Sequence, residues 1–198
     1  MSQCECHNAG TNKTIAKKIL YLALFLNLAM FIIGLIAGLL GQSTGLLADA
    51  LDMLADASAY AIAILAIKRD ITFKKNAARL SGILLLLLGF WILSDIVEKI
   101  LYGSSPNSAT MLIVASLSLL VNVTVLTMLK QFKNDEVHLR ATWIFTRADI
   151  IVNIGVLISA GLVSLFRSRY PDLMIGFAVS LFVIKEAAAI IKSSFHEK

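Results

Sequence analysis

Charged residues are scarce in this chain: 16% of 198 residues, where a soluble domain of this length carries about 25%. With 58% hydrophobic residues and a mean hydropathy of +0.82, that shortage excludes an ordinary water-soluble core. Cysteine is nearly absent, with only Cys4 and Cys6 present. Both precede the first apolar run, in a segment that the charge distribution assigns to the reducing cytoplasm, so a structural disulfide is not expected. The alternation of a half-buried strand is missing too, which leaves helices as the only plausible spanning structure. No Ser/His or Cys/His nucleophile pair lies within the apolar runs, so nothing points to covalent catalysis. A cleavable signal peptide is not expected either, because the first apolar run exceeds 20 residues and lacks a small-residue cleavage site.

What the chain does have is six long apolar runs: Ile19–Leu40, Gly45–Ile67, Leu80–Leu101, Thr110–Leu129, Ala141–Phe166 and Asp172–Ile191. Each is near the roughly 20 residues that cross about 30 Å of hydrocarbon. The fold class predicted is an all-α membrane protein, a six-transmembrane-helix bundle. It divides into an N-terminal tail over 1–18, a membrane domain over 19–192 and a short C-terminal tail over 193–198, with no soluble C-terminal domain expected.

The net charge of +5 is not a nucleic-acid signal, because the basic residues are sorted by loop. Lys13, Lys17, Lys18, Lys68, Arg69, Lys74, Lys75, Arg79, Lys130, Lys133, Arg140, Lys192 and Lys198 fall on one side; Lys99, Arg167 and Arg169 fall on the other. This positive-inside bias puts both termini in the cytoplasm.

Against the general lack of charge, Asp49, Asp52 and Asp56 stand in the second apolar run. At 100° per residue they lie within roughly 60° of one another on a helix. A charge near the bilayer centre costs about 2.5 kcal/mol or far more, so such a stripe demands a cation, protons or water. Asp149 sits in the fifth run, about 13 Å from the cytoplasmic end, and Asp56 about 16 Å from the outer end of the second. Both therefore approach the midplane, and contact between helices 2 and 5 brings them together. Carboxylates suit hard or borderline divalent cations, and protonation offers a neutral alternative state. The plainer alternative is an interhelical carboxyl hydrogen bond.

The stretch from Gly45 to Asp56 resembles the helix 2 signature of the cation diffusion facilitator family, in which Asp or His followed four residues later by Asp supplies half of a tetrahedral metal site. Asn27, Asn122 and the Leu139, Arg140, Ala141 start of helix 5 also match the family's pattern. The resemblance implies a multi-pass protein of the bacterial inner (plasma) membrane that exports divalent metal from the cytoplasm, usually in exchange for protons. It makes Asp52 and Asp56 the helix 2 ligands and Asp149 a helix 5 ligand. Asp49 matches an acidic position that is not itself a ligand and would stand behind them. No permanently bound cofactor is implied. The cargo would be a divalent cation of the zinc, cobalt, iron or manganese class, and the partners are that ion, protons and the lipid bilayer, not nucleic acid. Without the family's soluble C-terminal domain, a homodimer would form through membrane helices.

One position departs from the family. Phe145 stands where His or Asp is usual, four residues before Asp149, and phenylalanine cannot bind a divalent ion. Either three protein ligands and water make the site, or Asn153, one turn after Asp149, completes it with an amide oxygen. The alternative function is a non-transporting relative that serves as a metal-sensing or partner subunit.

Other groups carry weaker signals. Cys4, Cys6 and His7 form a soft-metal set without the paired spacing of a folded zinc finger. Arg147 points about 200° away from Asp149 and can snorkel or pair within the bundle. Lys185 and Glu186 read as snorkelling or as part of an ion pathway, and Asp95 and Glu98 as interfacial or as part of an exit vestibule. Gly34, Gly38, Gly41 and Gly45 fit close packing of helices 1 and 2, with dimerisation as the alternative. The Asp-x-x-x-Asp pair also occurs in membrane phosphatidyltransferases, but their upstream Asp-Gly and Ala-Arg are missing: Asp49 precedes Ala50, and no arginine precedes Arg69. The reading is a transporter, not an enzyme. In intact cells, single-cysteine labelling from outside is expected to reach Ser104→Cys but not Asn134→Cys; the reverse pattern would sink this orientation.

Overall fold

The computed structural model describes residues 3–65, 71–130 and 137–196, with side chains over 17–65, 72–73, 75–130, 149–192 and 194–195. These residues form six helices and, among the described residues, no strand: α1 (Gln3–Leu40), α2 (Thr44–Leu65), α3 (Ile71–Tyr102), α4 (Ser108–Leu129), α5 (Val137–Phe166) and α6 (Tyr170–His196). Each apolar run of the sequence centres on one helix. α1 already begins at Gln3, well ahead of its apolar run. The side chains of Cys4, Cys6 and His7 lie outside the described ones.

Among the described residues, five helices are long and apolar enough to cross a membrane: Lys17–Leu40, Lys75–Tyr102, Ser108–Leu129, Asp149–Phe166 and Tyr170–Lys192. α2 is the exception. Its 22 residues suffice in length, but Asp49, Asp52 and Asp56 make it too acidic to read as a span on composition alone. The bundle resolves that conflict by position, since α2 packs against all five other helices. Large apolar side chains are exposed along each of the other helices, as lipid-facing surfaces require, whereas α2 exposes only Leu65 at its end. The acidic helix is thus the one kept from lipid.

Three apolar clusters fix α2 on its sides. Leu47, Ala48, Leu51 and Ala55 pack with Leu85, Ile92 and Ile96 of α3 and Val179, Val183 and Ala187 of α6. Leu46 and Met53 pack with Met30 of α1, Met111, Val114 and Ala115 of α4, and Val156, Ala160 and Val163 of α5. Tyr60 and Ile64 pack with Leu20 and Ala23 of α1 and Val125 and Leu129 of α4. Against a lipid background these contacts stabilise through packing density rather than through release of water.

α1 and α2 are joined by a tight turn. Ser43 N donates to Gly38 O at 3.0 Å and Gln42 N to Leu39 O at 3.3 Å, with Gln42 in the left-handed region at φ 51°. That is a Schellman cap built without glycine at its left-handed position. The neighbouring loop holds it: Asn107 N donates to Gly41 O at 2.9 Å, and Ser105 N donates to Gln42 Oε1 at 3.0 Å.

The small-residue stripe divides its work. A Cβ on Gly34 would stand 3.1 Å from Ala50 Cβ, and one on Gly38 would stand 2.8 Å from Leu47 Cδ2, so these two glycines let α1 and α2 touch. Gly41 faces Thr110 of α4, and Gly45 faces Asp172 and Ile175 of α6. Gly38→Val is therefore expected to destabilise the bundle by about 1–3 kcal/mol through overpacking. Gly161→Ala, with nothing within 4 Å of its added Cβ, should not lower stability. Thermal unfolding in detergent compares the two, and equal melting temperatures would contradict this packing.

Candidate metal site

Asp49, Asp52 and Asp56 lie on α2 at intervals of three and four residues, and the clusters described above turn that stripe inward. Asp49, Asp52 and Asp149 of α5 are buried, at 1%, 4% and 3% exposure, while Asp56 is half-buried. The Asp149 carboxyl lies close enough to those of Asp52 and Asp56 to interact electrostatically with both. Its Oδ2 nevertheless has no donor. Ionised carboxyls gathered in a buried interior repel one another, and a shared proton or a cation relieves that repulsion. Helices 2 and 5 thus meet at the acids, as the depth estimates require.

Asp49 is differently placed. Its Oδ2 accepts from Ser118 Oγ of α4 at 2.9 Å and its Oδ1 from Asn153 Nδ2 of α5 at 3.2 Å. Asn153 Nδ2 also donates to Asp149 O at 2.9 Å, while its buried Oδ1 has no partner. The amide therefore tethers Asp49 with its nitrogen and keeps its oxygen free, the atom a cation would use.

Glu186 of α6 is half-buried and close enough to act electrostatically on Asp52, Asp56 and Asp149. The sequence leaves it between snorkelling and an ion pathway. Ser118 was not legible as a site residue, though it lies one turn before Asn122 on the buried face of α4. Among the described residues, no group of three or more His, Cys, Asp or Glu is set to enclose a metal ion. The carboxyls meet through Asp149 rather than around one common point. The side chains of Phe145 and Arg147 lie outside the described ones.

Asn27 and Asn122 are also inside, at 0% and 1% exposure. Asn27 Nδ2 caps the carbonyl of Ala23 at 3.0 Å, but its Oδ1 and both amide atoms of Asn122 have no partner. Each such atom left without a partner costs about 1–3 kcal/mol. Asp95 is part of the structure rather than a free interfacial acid. It pairs with Lys99 at 2.7 Å and accepts from Thr44 Oγ1 at 2.9 Å, whereas Glu98 is exposed.

The acidic helix is thus shielded by apolar ones and met by an acid from a neighbour. Residues 20–197 match the family described as the cation efflux transmembrane domain, and the chain belongs to this family. It is a multi-pass membrane protein. A curated relative, the "Cadmium, cobalt and zinc/H(+)-K(+) antiporter" of Bacillus subtilis (strain 168), is 25% identical over 206 residues. That match covers 96% of this chain and 64% of the relative, so the chain spans less than two thirds of the relative's length.

The bonding pattern separates two kinds of buried serine. Ser118→Ala strips Asp49 Oδ2 of its donor and is expected to destabilise by about 1–3 kcal/mol. Ser159 is buried at 3% with no partner for its Oγ, so Ser159→Ala should be neutral or stabilising. Denaturation of the two variants in the same detergent checks the order.

Proposed function

We propose that this chain is a divalent-metal exporter that moves its cargo out of the cytoplasm in exchange for protons. Asp52, Asp56 and Asp149 are the ligands, Asn153 Oδ1 is a further oxygen donor, and Asp49 stands behind them. The observation that carries this reading is the buried meeting of Asp149 with Asp52 and Asp56 across two helices. Acids so close together exchange protons for a cation: a metal that binds displaces the protons, and protons that return release the metal. The named activity of the Bacillus subtilis relative supports zinc, cobalt and cadmium as cargo and protons as the counter-ion. All six helices span the membrane with both termini cytoplasmic, in keeping with the sorted basic loops. A homodimer formed through membrane helices is part of the same reading.

A second reading, a non-transporting metal-sensing or partner subunit, draws on Phe145 at a usual ligand position and on the absence of a closed acid cage among the described residues. Zinc and cobalt flux in proteoliposomes with a trapped pH dye separates the two. The wild type should transport and acidify reciprocally, and Asp56→Ala and Asp149→Ala should each lose transport. Full activity in either variant would refute the site. Isothermal titration then addresses the helix 5 half-site. Phe145→His should gain tenfold or more in zinc affinity, about 1.4 kcal/mol, if a ligand is missing. If Asn153 already fills the vacancy, that variant changes little and Asn153→Ala is severe. Tight zinc binding that neither substitution alters would overturn this account of α5.

A further inference from the structure

The first turn of α2 does not end in water. Asp172, in the first turn of α6, is wholly buried, and its carboxylate accepts from three donors of the α1–α2 junction. Ser43 Oγ donates to Oδ1 at 2.6 Å, Gly45 N to Oδ1 at 3.0 Å, and Thr44 N to Oδ2 at 2.8 Å. Of the other two free amides of this N-terminus, Leu46 N donates to Ser43 Oγ at 3.1 Å and Ser43 N donates to Gly38 O at 3.0 Å. All four amides that a helix N-terminus leaves over are thereby satisfied, two of them by a side chain from another helix. Thr44 adds a third helix, since its Oγ1 donates to Asp95 of α3 and accepts from Lys99 Nζ at 3.0 Å.

The backbones approach closely enough for this only because two glycines face each other's helix. A Cβ on Gly45 would stand 2.9 Å from Asp172 Oδ1, and one on Gly176 would stand 2.8 Å from Thr44 Cγ2 and 3.0 Å from Thr44 C. Behind the junction, Ala48 and Leu51 meet Val179 of α6 in a dry apolar layer. Parting α2 from α6 here would bare two amides and a carboxylate, which is tolerable only once water has filled the gap. A parted contact would therefore have to be filled by water. Asp49 is about 7.5 Å along α2 from Thr44, so a displacement of the first turn carries the acid stripe with it.

We propose that Asp172 is the latch of a gate at the α2 N-terminal end of the cation pathway, which opens when the first turn of α2 leaves it. The inference rests on the exporter reading, since a gate needs a passing ion. It makes Asp172 a positioning residue rather than a ligand. The structure described here is the clamped form, closed at that end.

The test uses the full chain with Cys4→Ser and Cys6→Ser, in proteoliposomes, with a membrane-impermeant thiol reagent on the side that carries the α2 N-terminus. Ala48→Cys, wholly buried beside α6, should react slowly, and adding Asp172→Ala should speed its labelling tenfold or more. Ala57→Cys, buried in the other half of α2, reports general loosening, and its rate should not change. Ser43→Ala, which removes one bond to the latch, should give an intermediate rate at Ala48→Cys and keeps the test intact if Asp172→Ala does not fold. Unchanged labelling of Ala48→Cys in both latch variants would overturn the proposal, as would equal acceleration at Ala57→Cys. Zinc binding measured alongside separates the two claims. Asp172→Ala should keep it within threefold, whereas failure of the exporter reading would appear in Asp149→Ala irrespective of labelling.

Discussion

Inside a bilayer a polar group has no water to fall back on, and this bundle is organised around the one helix that carries most of them. α2 holds three acids and a helix N-terminus that lies at a helix junction, and four of its five neighbours supply side chains to them. α4 supplies Ser118 and α5 supplies Asn153 to Asp49, α5 supplies Asp149 to Asp52 and Asp56, and α3 and α6 supply Asp95, Lys99 and Asp172 to the first turn. The apolar helices turn their large side chains to lipid because their inner faces are committed to that task.

The acids divide by how fully they are bonded. Both oxygens of Asp49 have donors from neutral side chains. Asp149 Oδ2 and Asn153 Oδ1 have no partner in the same buried layer. An acid whose oxygens are both bonded thus stands beside oxygens that have no donor.

Much of this was legible in the chain. Periodicity and run length gave the helices, because a bilayer imposes a length that 22 residues meet. The stripe of Asp49, Asp52 and Asp56 and the depth of Asp149 followed from 3.6 residues per turn and 1.5 Å of rise. What the sequence concealed depends on which helix faces which. Asp172 looks like any acid in the first turn of a helix, and only the fold turns it toward a different helix's amides. Glu186 sits beside Lys185, a pairing that suggests the interface until α6 is seen packed on α2. Nothing local to Ser118 marks it as the donor to Asp49. The family resemblance, carried by the run from Gly45 to Asp56, holds over residues 20–197.

The turn at Gln42 has a consequence for how the protein is made. Three carboxylates would each oppose the transfer of an isolated α2 into lipid by about 2.5 kcal/mol or more. The Schellman cap spaces α2 only three residues from the end of α1, and Gly34 and Gly38 already present a complementary face to it. A segment too acidic to partition alone is thus coupled to one apolar enough to carry it, and the two make sense to the insertion machinery as a single helical hairpin.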